Sequence, residues 1–582
     1  MKMRSAVPVL AMLALGLGVC PATLAQTPHD AIQKYFKNYF EAKLNAEPEF
    51  ATGTGHYENA DRWNDWSKEG RERRRASAEE TLRGLDKFSL TNLPEEDQLS
   101  ARLLRYQLRA ELDAMDLEIH LLRVGQMTGA HNRVFQLIDR MPARNLRDYQ
   151  NILGRLHGIP AYVDQNIAIM DEAIAQGITQ PPVVVDLTIK QIAAQAAQDK
   201  DTTPLLLAFR KFPSNFPEEQ QRKLREEAVA SYEHEFLPAW QKLLEYMKTT
   251  YAPKARPDVG LNSLKGGKEY YAILVRRLTT TNATPEEIHR TGEAEVVRLE
   301  AEMLAAARET GFTGTLQEFE KKLEAMPEQH FQSKDEMLIY CRNIAKIIEP
   351  ELPNQFKHIP LLLYGVRAIP EDREQATASN AQSPSPDGSV PGWFNLNAYQ
   401  PEKQVRYNKE ALVLHEAVPG HIFQTSLARA QQGLPEFRRF YGNSAYLEGW
   451  ALYAESLGGE LGVYRDPYSR FGRLASERFR AVRLVMDTGI HTMGWTREQA
   501  VEYFKVHAPD ESLAEVDRYI SWPAQALAYK MGQLEIVKLR QEAQQKLGAK
   551  FDIRDFHDAI LRDGVLPLEL LDEQGEKYAS AN

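Results

Sequence analysis

Apolar residues recur every three or four positions along most of this 582-residue chain, in stretches rich in Ala, Glu, Leu, Gln, Lys and Arg. That spacing is the repeat of an α-helix with a buried face. It predicts long helices over Asp97–Leu122, Leu224–Tyr251 and Pro285–Thr310. Pro238 lies inside the second and predicts a kink or split there, since proline lacks an amide hydrogen and its ring crowds the preceding turn. Thr284-Pro285-Glu286-Glu287 carries a capping residue, a proline at the first helical position and a glutamate three after the cap, so a helix should start there. Gly266-Gly267-Lys268 reads as a turn into a further helix, Gly392–Asn397 as a short strand, and the stretch from Gln404 into His415 as helix. Between them, Glu371–Pro391 breaks the pattern, and Ser383-Pro384-Ser385-Pro386-Asp387-Gly388-Ser389 reads as a surface loop. No fixed-period repeat is present, which argues against a solenoid. The expected fold class is mainly α with a small β element.

The N-terminus follows another rule. Lys2 and Arg4 precede an apolar run from Val7 to Val19, and Ala22-Thr23-Leu24-Ala25 offers a small-residue cleavage site before Gln26. Residues 1–25 are read as a secretory signal peptide, with export across the inner membrane to the periplasm. Cys20 could carry a lipid, but the bulky Val19 before it argues against lipidation. No other stretch is apolar and long enough to span a bilayer. Cleavage leaves one cysteine, Cys341, which excludes an internal disulfide and reads as a small buried hydrophobe. The length allows one large unit with a cleft, divided into a helical N-terminal lobe (26–370) and a catalytic region (371–582). A formal net charge of -10 argues against a general nucleic-acid surface, and Arg71-Glu72-Arg73-Arg74-Arg75 reads as a solvated helix face.

The chemistry concentrates in His415-Glu416-Ala417-Val418-Pro419-Gly420-His421. It is the zinc-peptidase motif H-E-x-x-H lengthened by two residues. In the shorter form the histidines are one turn apart and both face the metal, with the glutamate as general base. Six residues turn a helix by about 600°, which leaves the two histidines ~120° off a common face. A straight helix cannot build the site. Pro419 lies four residues after His415 and clashes with its carbonyl in a regular helix, and Gly420 reaches backbone angles closed to other residues. A helix break between Ala417 and Gly420 is therefore expected, and it could return His421 to the metal. Glu448 and Glu455 follow in Glu448-Gly449-Trp450-Ala451-Leu452-Tyr453-Ala454-Glu455, two turns apart on nearly one face. Glu448 is expected as third zinc ligand, and Glu455 as the group that orients a ligand histidine through its other ring nitrogen. A strand preceding such a helix can bind a peptide by edge pairing, or can be structural.

These residues resemble the bacterial family of uncharacterised domain 885, regarded as secreted zinc peptidases. Further matching segments are Arg483-Leu484-Val485-Met486-Asp487-Thr488-Gly489-Ile490-His491 with Gly494-Trp495, and Pro523-Ala524-Gln525-Ala526-Leu527-Ala528-Tyr529-Lys530-Met531-Gly532. The family is in turn similar to the two-lobed, deep-cleft helical gluzincins, such as thimet oligopeptidase, neurolysin and angiotensin-converting enzyme, which carry a histidine-glutamate-x-glycine-histidine form. The resemblance implies a gluzincin-like fold, a Zn2+ cofactor and a peptide substrate. It implies a tyrosine on a late helix as donor to the developing oxyanion; Tyr529 fits that order, with Tyr519 as the alternative. Arg483, Asp487 and His491, spaced i, i+4, i+8, form either a salt-bridge ladder or a polar cleft wall. In the second reading Arg483 or His491 grips substrate and Asp487 orients one of them. Three functions stay open: a secreted zinc metallopeptidase using Glu416 and a zinc-activated water; a zinc hydrolase of a non-peptide amide or cell-wall fragment; and a non-catalytic periplasmic peptide-binding protein. No G-x-S-x-G elbow or phosphate-binding loop competes with them.

Overall fold

The structure, a computed structural model, describes residues 27–581 apart from 362, 372, 373, 375, 376 and 385–389. The expected signal peptide with Cys20 and the tip of the 383–389 loop lie outside the described residues. The fold is mainly α, with one three-stranded sheet among the described residues. None of the described helices is long and apolar enough to cross a membrane.

Local sequence rules account for much of the helical frame. The expected cap forms: the Glu287 amide donates to Thr284 Oγ1 (3.2 Å) and the Thr284 amide to Glu287 Oε2 (2.8 Å), opening helix α1 (Pro285–Glu309). Around Pro238 the helical path continues, but a π-helical turn, Tyr232–Phe236, sits directly before Leu237 and Pro238. The wider turn absorbs the amide that proline cannot supply. Cys341 is buried, and burial pushes its thiol up to about 12. One apolar core is rich in aromatics from residues 60–251, with Tyr149, Tyr232, Phe236 and Trp240 at its centre. The largest joins N-terminal Ile32, Phe36 and Leu104 to Leu414, Phe423 and Trp450 around the His415–His421 motif and to C-terminal Ile560 and Leu571.

The sheet orders β1 (Tyr364–Ala368), β3 (Gly392–Leu396) and β2 (Asn380–Gln382), with β3 central. β1 runs parallel and β2 antiparallel to β3. The strand expected at Gly392 exists, but both of its edges are filled, so it has no backbone groups free to pair with a peptide. β2 falls inside the stretch that reads as loop, too short to leave a pattern. The helix expected from Gln404 starts later, as α2 (Lys409–Glu416), because Val405 forms a bridge with His330. After α2 come α3 (His421–Ala430), α4 (Ser444–Ser456), α5 (Pro467–His491), α6 (Ala514–Ser521) and α7 (Leu527–Leu547).

Two packing contacts place the helices around the metal motif. α4 and α7 cross glycine on glycine: a Cβ on Gly449 would lie 2.5 Å from Gly532 Cα, and one on Gly532 would lie 1.9 Å from the Ala445 carbonyl oxygen. No side chain fits there, so the two backbones touch. The turn into α7 holds Ala524 at φ +66°, a left-handed angle that an L side chain disfavours. Buried Asp487 on α5 secures it by accepting the Ala524 amide at both oxygens (2.9 and 3.1 Å) and the Tyr271 hydroxyl (2.5 Å). Asp487 therefore orients neither Arg483 nor His491, as the cleft-wall reading required. His491 is corrected likewise. It is fully buried, its Nδ1 accepts the Leu261 amide (3.2 Å) and its Nε2 donates to the Tyr519 carbonyl (2.9 Å), which leaves neither nitrogen for substrate. Burial drives its pKa down to about 3, keeping it neutral.

Two outcomes are expected. Gly532→Ala should cost about 1–3 kcal/mol of stability by forcing α4 and α7 apart, and should weaken metal binding at Glu448; denaturant titration and metal titration read both. Burial raises Asp487 to about 7, from an ordinary 3.8, against the opposing bonds from Tyr271 and Ala524 and the charge of Arg518. The stability it contributes is complete below the unfolded pKa and is lost as pH rises through 7. Between pH 5 and 7, parent stability relative to Asp487→Asn should fall by up to ~1.4 kcal/mol per pH unit and level off above pH 8. A flat difference across that range would show that Asp487 does not titrate there.

Candidate metal centre

The helix that begins at Lys409 ends at Glu416, and a new one begins at His421. The expected break thus falls between the two histidines. Gly420 turns so close to the end of α2 that a Cβ there would lie 1.9 Å from the His415 carbonyl oxygen. The Trp450 indole N–H donates to the Pro419 carbonyl (2.8 Å) and pins the break from α4. The Val418–Pro419 peptide is cis.

The break brings His421 round to His415. Their rings meet edge to face with centroids 4.9 Å apart. Glu448 Oε2 lies 3.5 Å from His415 Nε2 and 3.2 Å from His421 Nε2, and ligand atoms of all three residues fall within 4.8 Å of one another. Atoms bound at 2.0–2.2 Å to a tetrahedral zinc stand about 3.2–3.6 Å apart, so the carboxylate spacing fits that ion. Two imidazoles and one carboxylate are also the donor set of a catalytic zinc site. Glu455 Oε1 sits 2.8 Å from His415 Nδ1. With the ring hydrogen on Nδ1, the lone pair is left on Nε2, toward Glu448.

Electrostatics favour a cation here. Burial opposes charge on His415, yet the hydrogen bonds it donates to Glu448 and Glu455 prevail and raise it to about 9. Glu448 is pulled well below the usual carboxylate range by His421 and His415 in spite of its burial. A bound divalent ion would replace the proton that His415 otherwise holds. Glu416 differs from its neighbours. It is buried beside the cluster, no described residue hydrogen-bonds its carboxylate, and burial raises its pKa. A raised, uncommitted carboxyl group is suited to accepting and returning a proton.

The Tyr529 ring lies nearly parallel to the His415 imidazole, 6.3 Å away at 15°. Its hydroxyl accepts from Arg518 Nη2 (3.4 Å). The alternative, Tyr519, is fully buried with its hydroxyl donated to Glu515 Oε2 (3.1 Å), so it has no hydrogen to offer. Arg483 is also drawn away from the expected substrate grip. Its Nη2 bonds Glu515 (3.0 Å), and its guanidinium lies between the rings of Phe479 (4.2 Å) and Tyr529 (4.7 Å). Two arginines were not singled out in the sequence. Arg480, one turn before Arg483 on α5, bonds Ser476 and reaches to 3.7 Å from Glu455 Oε1. Arg518 touches Tyr529 from α6. The i, i+3 spacing to Arg483 could have flagged Arg480; nothing local marks Arg518.

Solved structures share this fold. A candidate lipoprotein from Colwellia psychrerythraea superimposes with a TM-score of 0.88 at 25% identity, over 96% of this chain and 100% of that one. A second candidate lipoprotein, of unknown function, from Shewanella oneidensis gives 0.72 at 18%, over 93% and 99%. A candidate oligoendopeptidase F from Bacillus anthracis str. Ames reaches only 0.31 at 12%, over 87% and 96%, too slight to bear on the fold. No curated protein matches the chain. Residues 48–574 match, nearly end to end, the family described as bacterial protein of unknown function (DUF885), and the chain belongs to that family.

Proposed function

We propose that this protein is an exported, zinc-dependent metallopeptidase that hydrolyses short peptides. One observation carries the reading: His415, His421 and Glu448 converge from three helices while the carboxylate of Glu416 stays unbonded beside them. A binding protein has no need of an unpartnered buried carboxyl group next to a metal cluster, so this favours catalysis over capture of a peptide.

His415, His421 and Glu448 would hold the ion, and the Glu455 carboxylate accepts the Nδ1 hydrogen of His415. A bound zinc supplies Lewis acidity, polarising the scissile carbonyl and acidifying water. Glu416 takes the proton of the attacking water and returns it to the departing amine. Tyr529 gives its hydroxyl hydrogen to the carbonyl oxygen as negative charge develops. Peptide amides are the substrate class because their hydrolysis calls for this pair of tasks, a base for water and an acid for a poor leaving group.

Export belongs to the same proposal. Lys2, Arg4 and the run to Val19 form the signal, and the Colwellia and Shewanella proteins are themselves described as candidate lipoproteins. Mass spectrometry of protein exported by a bacterial host should find Gln26 at the N-terminus; an acylated Cys20 would replace that reading with a lipid anchor.

The catalytic test combines metal analysis with a peptide library. The parent should bind one zinc and cleave peptides, with activity lost to a chelator and restored by zinc. Glu416→Gln should keep the metal and lose at least about a thousandfold in kcat, as expected when proton transfer is removed. His421→Ala should lose the metal itself. Full turnover by Glu416→Gln would overturn the mechanism, and cleavage of cell-wall fragments but not peptides would move the substrate class.

A further inference from the structure

We propose that Arg518, held in place by Glu515 and Gln525, is a positioning residue that aims the Tyr529 hydroxyl; this rests on Tyr529 being the donor of the proposed reaction. Tyr529 is fixed on three sides. His415 faces its ring at 6.3 Å, Arg483 stacks on the ring at 4.7 Å, and Arg518 Nη2 donates to Oη at 3.4 Å. The same Nη2 donates to Gln525 Oε1 (2.7 Å), and Nη1 to Glu515 Oε1 (3.3 Å). Glu515 also receives Arg483 Nη2 (3.0 Å) and the Tyr519 hydroxyl (3.1 Å), so one carboxylate ties both arginines together.

The hydrogen-bond inventory of the phenol gives this arrangement its consequence. A tyrosine oxygen has one hydrogen to give and lone pairs that accept. Arg518 occupies one accepting position, and no described residue takes the hydrogen. The hydrogen is therefore left to be donated to an oxygen of a bound substrate. A hydrogen bond received at Oη also polarises the O–H group and strengthens what it donates. Without Arg518 the hydroxyl can turn its hydrogen to other acceptors, and its aim at the reacting oxygen is lost. Glu515 enters because two guanidinium groups beside one phenol repel each other, and its carboxylate offsets them.

A purely structural Arg518 would steady the turn before α7 through Gln525 and would matter equally with or without the Tyr529 hydroxyl. The test is a double-mutant cycle on the zinc-loaded protein with a peptide it cleaves. Arg518→Ala should lower kcat by about ten- to a hundredfold, as misaimed catalytic groups do, with KM within about twofold. Arg518→Lys should recover part of the loss. In the Tyr529→Phe background, Arg518→Ala should cost less than about twofold. On metal-free protein carrying 13Cζ-labelled tyrosine, Arg518→Lys should shift the Tyr529 resonance, a reading independent of turnover. Equal losses in both backgrounds, or an unmoved resonance, would overturn the inference and leave the peptidase reading intact. If Tyr529→Phe alone keeps full kcat, the donor assignment and this inference fall together, while Glu416→Gln still tests the metal mechanism separately.

Discussion

The site depends on a helix that is made to stop. Pro419 and Gly420 forbid a continuous turn between His415 and His421, and the backbone passes within contact distance of the α2 end. Left alone, such a break would sample many paths. Trp450 selects one by donating its indole hydrogen to Pro419 from a position where the ring is fully buried. Trp450 lies two residues beyond Glu448 on the same helix. The bond that fixes the second histidine is therefore borne by the element that brings the third ligand, and neither can move far without the other. Gly449, between them, lets α4 touch α7, so the helix carrying Tyr529 is drawn into the same arrangement.

Assembling these parts buries many charges. Behind the centre, Lys530 on α7 is fully buried among Glu477 (2.6 Å), Glu295 (2.8 Å) and Gln533 (2.7 Å), with Arg298 and Arg473 also on Glu477. Burial would raise Glu477, but Lys530 and Arg473 hold it at about 2. Buried pairs of this kind add little net stability, because desolvation cancels most of the attraction; their loss one partner at a time is what costs. Buried charge is also set into the aromatic region of residues 60–251, where fully buried Arg155 donates to the Ala60 carbonyl (2.6 Å) and Thr52 Oγ1 (2.8 Å).

The sequence was most readable where one residue's covalent chemistry leaves a single outcome. Thr284 with Glu287 makes a cap, Pro419 with Gly420 ends a helix, and a carboxylate seven residues after another lies on its face, as Glu455 does behind His415. It was least readable where outcome depends on what arrives from far along the chain. β2 has three residues, so no alternation can show. The start of α2 was missed because His330 pairs with Val405. Arg518 reaches Tyr529 through a turn whose left-handed Ala524 gives no sign of itself in composition.

The error at His491 and Asp487 has a specific cause. Spacing by four correctly places Arg483, Asp487 and His491 on one face of α5, but a face says nothing about what covers it. Here α5 is buried nearly all round, so its polar residues serve other buried backbone and side-chain groups: an amide from Leu261, a carbonyl of Tyr519, an amide of Ala524. A ligand must be enterable as well as aligned. His421 and Glu448 keep 18% and 21% of their side chains exposed, whereas Asp487 and His491 keep none. Periodicity could propose both sets with equal force; only access separates a site from a satisfied core.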